Sequence, residues 1–357
     1  MIEGRPPVAR RRILRRVASV LVSLGLVVAI FVFAIPALVD YGEVWATMTA
    51  LSPARLLLLL VVAALSIGSY WLVMTAALPG LTVPRAGVVH QASTAVANSV
   101  PGGGAVAVGL SYAMYRSWGF GNGEIVRAVL ISGVWDAALK LALPAAALIL
   151  LLASGDADPG RAAAAAAGLA LVAVVAVGFA LVLRSDRLTR FVAEKVEVAA
   201  RRLPLRRFRR ADFGWVERLG QLRATSLLVI RSRWLRLTLA AIVAHLALFA
   251  LLLVAVRSVG IGPETLSFPT VFAGFAFVRL LQVLPITPGG VGLVELGYVA
   301  VLTRGLPDET AAGVVAGILL FRFLSYAIPI VLGAAAWLWW RTAGAPSRPP
   351  TRGDAPG

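Results

Sequence analysis

Five charged residues stand inside otherwise apolar stretches of this 357-residue chain: Asp136, Lys140, Arg279, Glu295 and Arg322. Because a charge within the hydrocarbon of a membrane is unfavourable, such a residue is by default a functional-site candidate that needs a partner. We expect a lipid phosphate to bind Arg279 and Arg322, since guanidinium groups match phosphate oxygens. Glu295 is interpreted as a group for a cationic headgroup or a proton, or alternatively as a structural ion-pair partner of Arg279 or Arg322.

Asp136 and Lys140 are four positions apart in one apolar run with the acidic residue first, which is the spacing of a helical ion pair. The pair either neutralises itself so that the helix can insert, or it belongs to a polar site. At a sequence offset of 186, position 136 corresponds to Arg322 in a second, similar stretch of the chain. We therefore expect all five charges to form one cluster, although Arg279 could instead extend to a membrane boundary.

Two motifs rich in proline and glycine interrupt apolar segments, namely P-G-G-G at 101–104 and P-I-T-P-G-G at 285–290. A helix that starts within a membrane has unpaired N–H groups at its first turn, and its dipole favours an anion. We expect helices to start just after Gly104 and Gly290 and to bind a phosphate there; simple kinks are the alternative. The predicted binding residues are Gly102, Gly103, Gly104, Pro288, Gly289 and Gly290.

The composition indicates a membrane protein. Hydrophobic residues make up 59% and charged residues 14%, against roughly 45–50% and about 25% in soluble chains. The chain has no cysteine and only two histidines, His90 and His245, so we expect no metal and no cofactor. The net charge of +17 is concentrated in blocks between apolar runs, which is typical of topology signals and contacts with anionic lipid rather than nucleic acid.

The apolar runs predict six full transmembrane helices. The segment 184–236 holds 15 basic and five acidic residues, so it is expected to be cytoplasmic and to bind anionic lipids of the inner leaflet through an amphipathic helix. The basic N-terminus, residues 1–16, and a disordered tail, residues 342–357, are expected on the same side. The predicted spans are 17–39, 54–77, 125–153, 161–183, 237–256 and 311–340.

With this orientation, the interrupted segments 91–115 and 268–302 must each enter and leave the membrane on one side. They are therefore predicted to be re-entrant hairpins of opposite orientation within one membrane domain, residues 17–341. Tyr112 and Tyr298, like Gly119 and Gly305, match at the offset of 186. We predict an all-α polytopic membrane protein with an inverted repeat, its halves covering 54–153 and 237–340, and a polar site between broken helices.

Three stretches resemble the flippase-like membrane domain of lysylphosphatidylglycerol synthases. N-S-V-P-G-G-G-A-V-A-V-G at 98–109, with Tyr112 and Arg116 after it, resembles the first signature of that family. L-P-I-T-P-G-G-V-G-L-V-E at 284–295 resembles the second, and F-R-F-L-S-Y-A-I-P-I-V-L-G at 321–333 resembles the last helix. The resemblance extends from about residue 17 to residue 341.

The resemblance implies a flippase of the cell membrane that moves an anionic, aminoacylated or glycosylated lipid between leaflets, and the basic segments place both termini in the cytoplasm. The soluble domain that makes the aminoacyl lipid in full-length synthases has no counterpart in this sequence, so we expect no enzymatic activity. A separately encoded lipid-modifying enzyme is a candidate partner. The alternatives are a membrane-embedded enzyme acting on polyprenyl-phosphate sugars and a scaffold for such an enzyme.

Overall fold

A computed structural model describes residues 46, 49–99, 103–154, 170, 215–282 and 287–344. Within these ranges the backbone forms helices, turns and loops and no strand. The α-helices are α1 (Pro53–Ala77), α2 (Val83–Ser99), α3 (Gly103–Ser117), α4 (Asn122–Ala153), α5 (Trp215–Ser258), α6 (Phe268–Leu281), α7 (Leu293–Leu302), α8 (Asp308–Arg322) and α9 (Ile328–Trp339). A 3-10 turn at Pro288–Gly290 precedes α7, and π-helical turns at Phe323–Ala327 and Trp340–Gly344 flank α9.

Four helical segments of the described chain are long and apolar enough to cross a membrane, and they confirm four of the six predicted spans. They cover Pro53–Ala77, Asn122–Ala153, Ile230–Ser258 and Asp308–Thr342. The two other predicted spans, 17–39 and 161–183, lie outside the described residues, as do the basic N-terminus and the tail after 344. The prediction of an all-α polytopic membrane protein is confirmed.

Two predicted boundaries differ from the structure. Helix α5 is continuous from Trp215, so residues 215–236 extend the helix of the following span and are not a separate loop segment. Helix also continues through the last predicted boundary, because the π-helical turn ends at Gly344 rather than at 341. Leu and Arg, which favour helix, are frequent in 215–236, and this range contains no proline that would break the helix.

The two interrupted segments are pairs of short helices. Helices α2 and α3 pack against each other, as do α6 and α7, so each segment is divided between two elements. In the first pair α3 begins at Gly103, within the predicted glycine motif. In the second pair α7 begins at Leu293, later than expected, because Gly289, Gly290 and Gly292 adopt positive φ values that interrupt helical geometry.

The internal repeat is visible in the helix boundaries. Helices α4 and α8 begin at Asn122 and Asp308, which reproduces the offset of 186 found in the sequence. The turns before them contain Gly119 and Gly305, whose φ values are 91° and 76°. Each half therefore consists of a long helix, then a pair of short helices, and then a second long helix.

The two halves exchange their packing partners. Helix α2 of the first half packs against α9 of the second, and α6 of the second half packs against α4 of the first. Helices α1 and α5, the first helices of the halves, pack along each other. At Gly333 the α2–α9 contact is so close that a Cβ would overlap the Gln91 carbonyl. This reciprocal arrangement encloses a space between the halves.

Candidate functional site

A cavity of about 510 Å³ lies between the two halves and is lined by most of the predicted site residues. Gly102 and the side chain of Pro288 lie outside the described part of the structure, and Glu295 does not line the cavity. The predicted site residues that line it are Gly103, Gly104, Asp136, Lys140, Arg279, Gly289, Gly290 and Arg322.

The carboxylate of Asp136 lies close to three groups. Lys140 Nζ lies 2.6 Å from Oδ2, which confirms the predicted helical pair. Oδ1 lies 3.9 Å from a guanidinium nitrogen of Arg279 and 3.6 Å from His245 Nε2. The pair is therefore not a self-contained couple, because a third charged group from the other half of the chain adjoins it.

Arg279 lies inside the protein and does not extend to a membrane boundary, so that alternative is wrong. The residue is 8% exposed. Its terminal nitrogens donate to Gln282 Oε1 and to the Tyr70 hydroxyl, the latter at 3.1 Å. His245 Nε2 lies 3.3 Å from the same guanidinium. These contacts hold the arginine in place at the cavity wall.

Sequence reasoning missed the neutral and aromatic groups around Arg279. His245 Nδ1 lies 2.9 Å from the Ala241 carbonyl, which assigns the ring proton to Nδ1 and leaves Nε2 to accept from Arg279. Tyr70 stacks on His90 with ring centroids 5.3 Å apart, and both line the cavity. A signal existed for His245, since a histidine within an apolar span is itself a candidate polar-site residue.

Glu295 and Arg322 form a separate ion pair. Arg322 Nε donates to Glu295 Oε1 at 2.6 Å, and both residues are buried. The other oxygen, Oε2, accepts from the Gly292 N–H at 2.7 Å, so Glu295 caps the helix that contains it. Among the described residues the five charges therefore divide into two ion-paired groups, Asp136–Lys140–Arg279 and Glu295–Arg322, and four of the five line the same cavity.

The end of α2 and the 3-10 turn before α7 meet at the cavity. Tyr326, in the π-helical turn, donates its hydroxyl proton to the Asn98 carbonyl at the end of α2, at 2.7 Å. A Cβ at Gly289 would overlap both Tyr326 and the Asn98 side chain. The Arg322 guanidinium stacks 4.6 Å from the centre of the Tyr326 ring. The sequence places these segments far apart, and the fold brings them to one point.

The glycines of the first motif have different environments. A Cβ on Gly103 would lie 2.5 Å from the Val96 carbonyl and 2.7 Å from that of Ala97, so this glycine allows α2 and α3 to approach. A Cβ on Gly104 would meet nothing within 4 Å. The close packing of α2 against α3 therefore requires glycine at position 103, whereas Gly104 borders open space at the cavity wall.

Five residues that line the cavity each have a buried polar side-chain atom with no hydrogen-bond partner within the described part of the protein. These atoms are Gln91 Nε2, Arg279 Nε, Thr287 Oγ1, Tyr298 Oη and Ser325 Oγ. Leaving such an atom unsatisfied typically costs about 1–3 kcal/mol, so native proteins pair these atoms with protein, water or ligand. All five can donate, and the nearby charges are three cations against two carboxylates. The lining is therefore suited to an anion that carries several acceptor oxygens.

Metal-ligating groups are sparse in the part of the chain that the structure describes. No set of three His, Asp or Glu side chains there is placed to hold a metal ion. The polar groups of the residues that line the cavity are guanidinium, ammonium, amide and hydroxyl groups, the imidazole of His90 and the carboxylate of Asp136.

Comparison with known protein families gives a match that covers most of the chain. The family model of the lysylphosphatidylglycerol synthase transmembrane region matches residues 17–333. This range contains every helix from α1 to α8 and the beginning of α9. A search of curated proteins finds no match to the sequence.

Proposed function

Because the chain belongs to the family of lysylphosphatidylglycerol synthase transmembrane regions, we propose that it is a flippase that moves a charged or glycosylated phospholipid between membrane leaflets. The family makes it a membrane protein of lipid modification or transport. The cell membrane is the proposed location, with both termini in the cytoplasm. The proposed role includes no bond-breaking chemistry by the protein itself.

The observation that carries this proposal is the cavity of unpaired donors between the two halves. Arg279, Thr287 and Tyr298 line the same space, and each has a buried polar atom without a partner among the described residues: Nε, Oγ1 and Oη, respectively. A lipid phosphate supplies several acceptor oxygens and a negative charge, which these groups and the neighbouring cations match. Within the membrane, hydrogen bonds from these protein donors would thus replace the hydrogen bonds that the headgroup makes with water at the membrane surface.

Each charged group has a distinct task in the proposed mechanism. Arg279 lines the cavity and supplies a positive charge for the phosphate, while Tyr70 and Gln282 hold its terminal nitrogens. Arg322 is held by Glu295 at Nε, and its guanidinium plane covers Tyr326, which contacts the end of α2. Asp136 balances part of the charge of Lys140 and Arg279, so that the headgroup can be released as well as bound.

A reconstitution assay tests the proposal. The full chain is placed in phosphatidylcholine vesicles with phosphatidylglycerol and a fluorescent phosphatidylglycerol tracer, and dithionite bleaches the tracer in the outer leaflet. We expect the protein to expose inner-leaflet tracer to bleaching. Arg279→Gln should slow this by about tenfold or more, since hydrogen bonds to charged groups contribute about 1.5–3 kcal/mol.

Arg304→Gln is the matched control, because Arg304 is exposed and does not line the cavity. Equal rates for vesicles with and without the protein would contradict the flippase proposal. Mass spectrometry of the recovered lipid addresses the enzyme alternative: a chemically altered lipid would favour a membrane-embedded enzyme. An unaltered and untransported lipid would favour a scaffold.

A further inference from the structure

The last transmembrane segment, Asp308–Thr342, is divided between two groups of packed helices. Its first part, α8, packs against α5 and α7, and a Cβ on Gly317 would lie 2.9 Å from Val256 Cα of α5. Its second part, α9, packs against α2, where a Cβ on Gly333 would overlap the Gln91 carbonyl. One continuous helical segment therefore belongs to two different packing groups.

The π-helical turn Phe323–Ala327 lies at this division. A π turn replaces the i→i+4 hydrogen bonds of an α-helix with i→i+5 bonds, and helices bend at such turns. Ser325 and Tyr326, within the turn, and Arg322, directly before it, line the central cavity. The segment thus changes its packing partners at the level of the candidate site, in a turn that is suited to bending.

Helices α2, α3 and α9 are joined to one another. Helices α2 and α3 pack together, and Gly103 allows their close approach, while α9 packs along α2. Directly after α9, Trp340 Nε1 donates to Ser117 Oγ at the end of α3, at 3.0 Å. These contacts hold the three helices together as one packed group.

Empty spaces lie along the boundary between this group and the other helices. A space of about 640 Å³ lies between α1 on one side and α2 and α9 on the other. A space of about 150 Å³ lies between α3 on one side and α1 and α4 on the other, and the central cavity also adjoins α2 and α3. Because close-packed side chains resist displacement, spaces along a boundary give the group room to move.

The group is attached to the other helices at one end. Near the loops that follow α1 and α3, apolar side chains from both sides of the boundary pack in one cluster, which includes Leu78, Met114 and Ile125. The opposite end of the group, where α2 ends and α3 begins, borders the central cavity at Asn98 and Gly103. A displacement of the group would therefore be largest at the cavity.

A hydrogen bond holds the group at this cavity end. Tyr326 donates its hydroxyl proton to the Asn98 carbonyl at 2.7 Å. The guanidinium of Arg322, which belongs to α8, lies 4.6 Å from the centre of the Tyr326 ring, and Glu295 binds Arg322 at Nε. An anion that binds the Arg322 guanidinium competes with its contact to Tyr326. Headgroup binding and the position of α2 are therefore linked through one tyrosine.

We propose that α2, α3 and α9 move as one unit about the π-helical turn, and that the Tyr326–Asn98 hydrogen bond is the latch that holds the present arrangement. The inference rests on the proposed function, since transport requires the cavity to be exposed to each leaflet in turn. The unit moves against the other helices of the described chain, α1 and α4 to α8. A phosphate at Arg322 favours release of the latch, because it draws the guanidinium away from Tyr326.

Distances between pairs of spin labels test this motion. Cysteines are placed at exposed positions of the full chain, which has no natural cysteine, and pulsed electron paramagnetic resonance is recorded in nanodiscs. The pair Val106→Cys and Val331→Cys lies within the unit, on α3 and α9. We expect this pair to keep one distance in phosphatidylcholine and in phosphatidylglycerol. The pair Val106→Cys and Leu239→Cys crosses the boundary to α5 and should gain a second distance in phosphatidylglycerol.

Two controls accompany these pairs. The pair Ile149→Cys and Leu239→Cys lies outside the unit, on α4 and α5, and should keep one distance in both lipids. In the boundary pair, Tyr326→Phe removes the latch and should raise the ratio of the second to the first population about fivefold in phosphatidylcholine, the change expected for one hydrogen bond. Tyr112→Phe removes a hydroxyl that donates to the Asn122 side chain outside the cavity and should leave the ratio unchanged.

The labelled protein without further substitution is sufficient to overturn the inference. A single unchanged distance for the boundary pair in both lipids, in protein that still transports the phosphatidylglycerol tracer, would eliminate the moving unit and leave the proposed flippase intact. A shift in the α3–α9 pair would show that these helices do not move together. An unchanged population ratio in Tyr326→Phe would eliminate the latch. Motion of the unit without any lipid transport would instead count against the proposed function.

Discussion

Asp136 and Arg322 occupy equivalent positions in the two halves of the chain, and both line the central cavity. Each has its own partner at 2.6 Å: Lys140 for Asp136 and Glu295 for Arg322. Equivalent positions thus carry opposite charges, and the partner is reversed in sign as well. The backbone repeats between the halves, but the electrostatic character of the cavity does not.

Accessibility of two equivalent positions tests the predicted inversion of the repeat. Gly123→Cys and Glu309→Cys each change the second residue of a helix, α4 or α8; both positions are exposed, and the natural chain has no cysteine. We expect an external membrane-impermeant thiol reagent to label position 309 in intact cells. Position 123 should react only after the membrane is permeabilised, because the sequence places it in the cytoplasm.

Gly123 suits this test because a Cβ there meets no atom within 4 Å, so the substitution leaves packing unchanged. Labelling of both positions from the same side would mean that the halves are parallel. The internal symmetry axis would then be perpendicular to the membrane plane.

Neutralising Glu295 should destabilise the protein. Glu295→Gln leaves Arg322 as a buried cation without a counter-charge and weakens the cap on the Gly292 N–H. Breaking a buried pair in this way typically costs roughly 3–5 kcal/mol, so we expect a lower yield of folded protein and a lower Tm in detergent. The double variant Glu295→Gln with Arg322→Gln should recover part of the loss.

Glu309→Gln provides the comparison, because Glu309 is an exposed acid in the first turn of α8 and should change Tm little. A Glu295→Gln protein of normal Tm that has lost lipid transport would reverse the interpretation. Glu295 would then act on the substrate, as one reading of the sequence suggests.

Adjacent glycines should respond differently to substitution. Gly103→Ala places a methyl group against the Val96 and Ala97 carbonyls, so α2 and α3 must separate and the Tm should fall. Gly104→Ala meets no neighbour, so it should leave Tm unchanged. Gly104→Leu should keep the fold but reduce lipid transport, because Gly104 lines the cavity; wild-type transport by this variant would show that the space is not used.

Tyr70→Phe should weaken the support of Arg279. The change removes a hydroxyl that accepts from the guanidinium at 3.1 Å inside the protein. We expect a loss of about 1.5–3 kcal/mol in stability, measured as a fall in Tm, together with slower lipid transport. Tyr112→Phe, at an exposed hydroxyl that donates to Asn122, should have a smaller effect on Tm and none on transport.

Local features of the fold were predictable because they depend on nearby residues. Length and hydropathy fix α1, α4, α5 and the helix from α8 to α9, and the four-residue spacing fixes the Asp136–Lys140 pair. The offset of the internal repeat recurs in the starts of α4 and α8. The start of α7 was predicted too early, because the positive φ values of Gly289, Gly290 and Gly292 depend on the tertiary structure around them and not on local sequence.

The residues that complete the site were harder to predict from the sequence. In a membrane helix the lipid-facing side is as apolar as the packed side, so periodicity does not show which way Tyr70 or Gln91 points. On α1, for example, Leu59 is buried while Leu58 and Leu60 are exposed. The choice between Arg279 and Arg322 as partner of Glu295 likewise depends on how α7 packs against α6 and α8 within the second half, which no local spacing specifies.

The exchange of packing partners between the halves has a consequence for biogenesis. Helix α2 has its principal partner in α9, the last α-helix of the described chain, and a close fit at Gly333 seals that contact. The first half therefore emerges from the ribosome and enters the bilayer before the surface it needs has been translated. Insertion and assembly are therefore separate steps. Helices α2 and α3 are in the bilayer without the α9 contact until α9 has been synthesised.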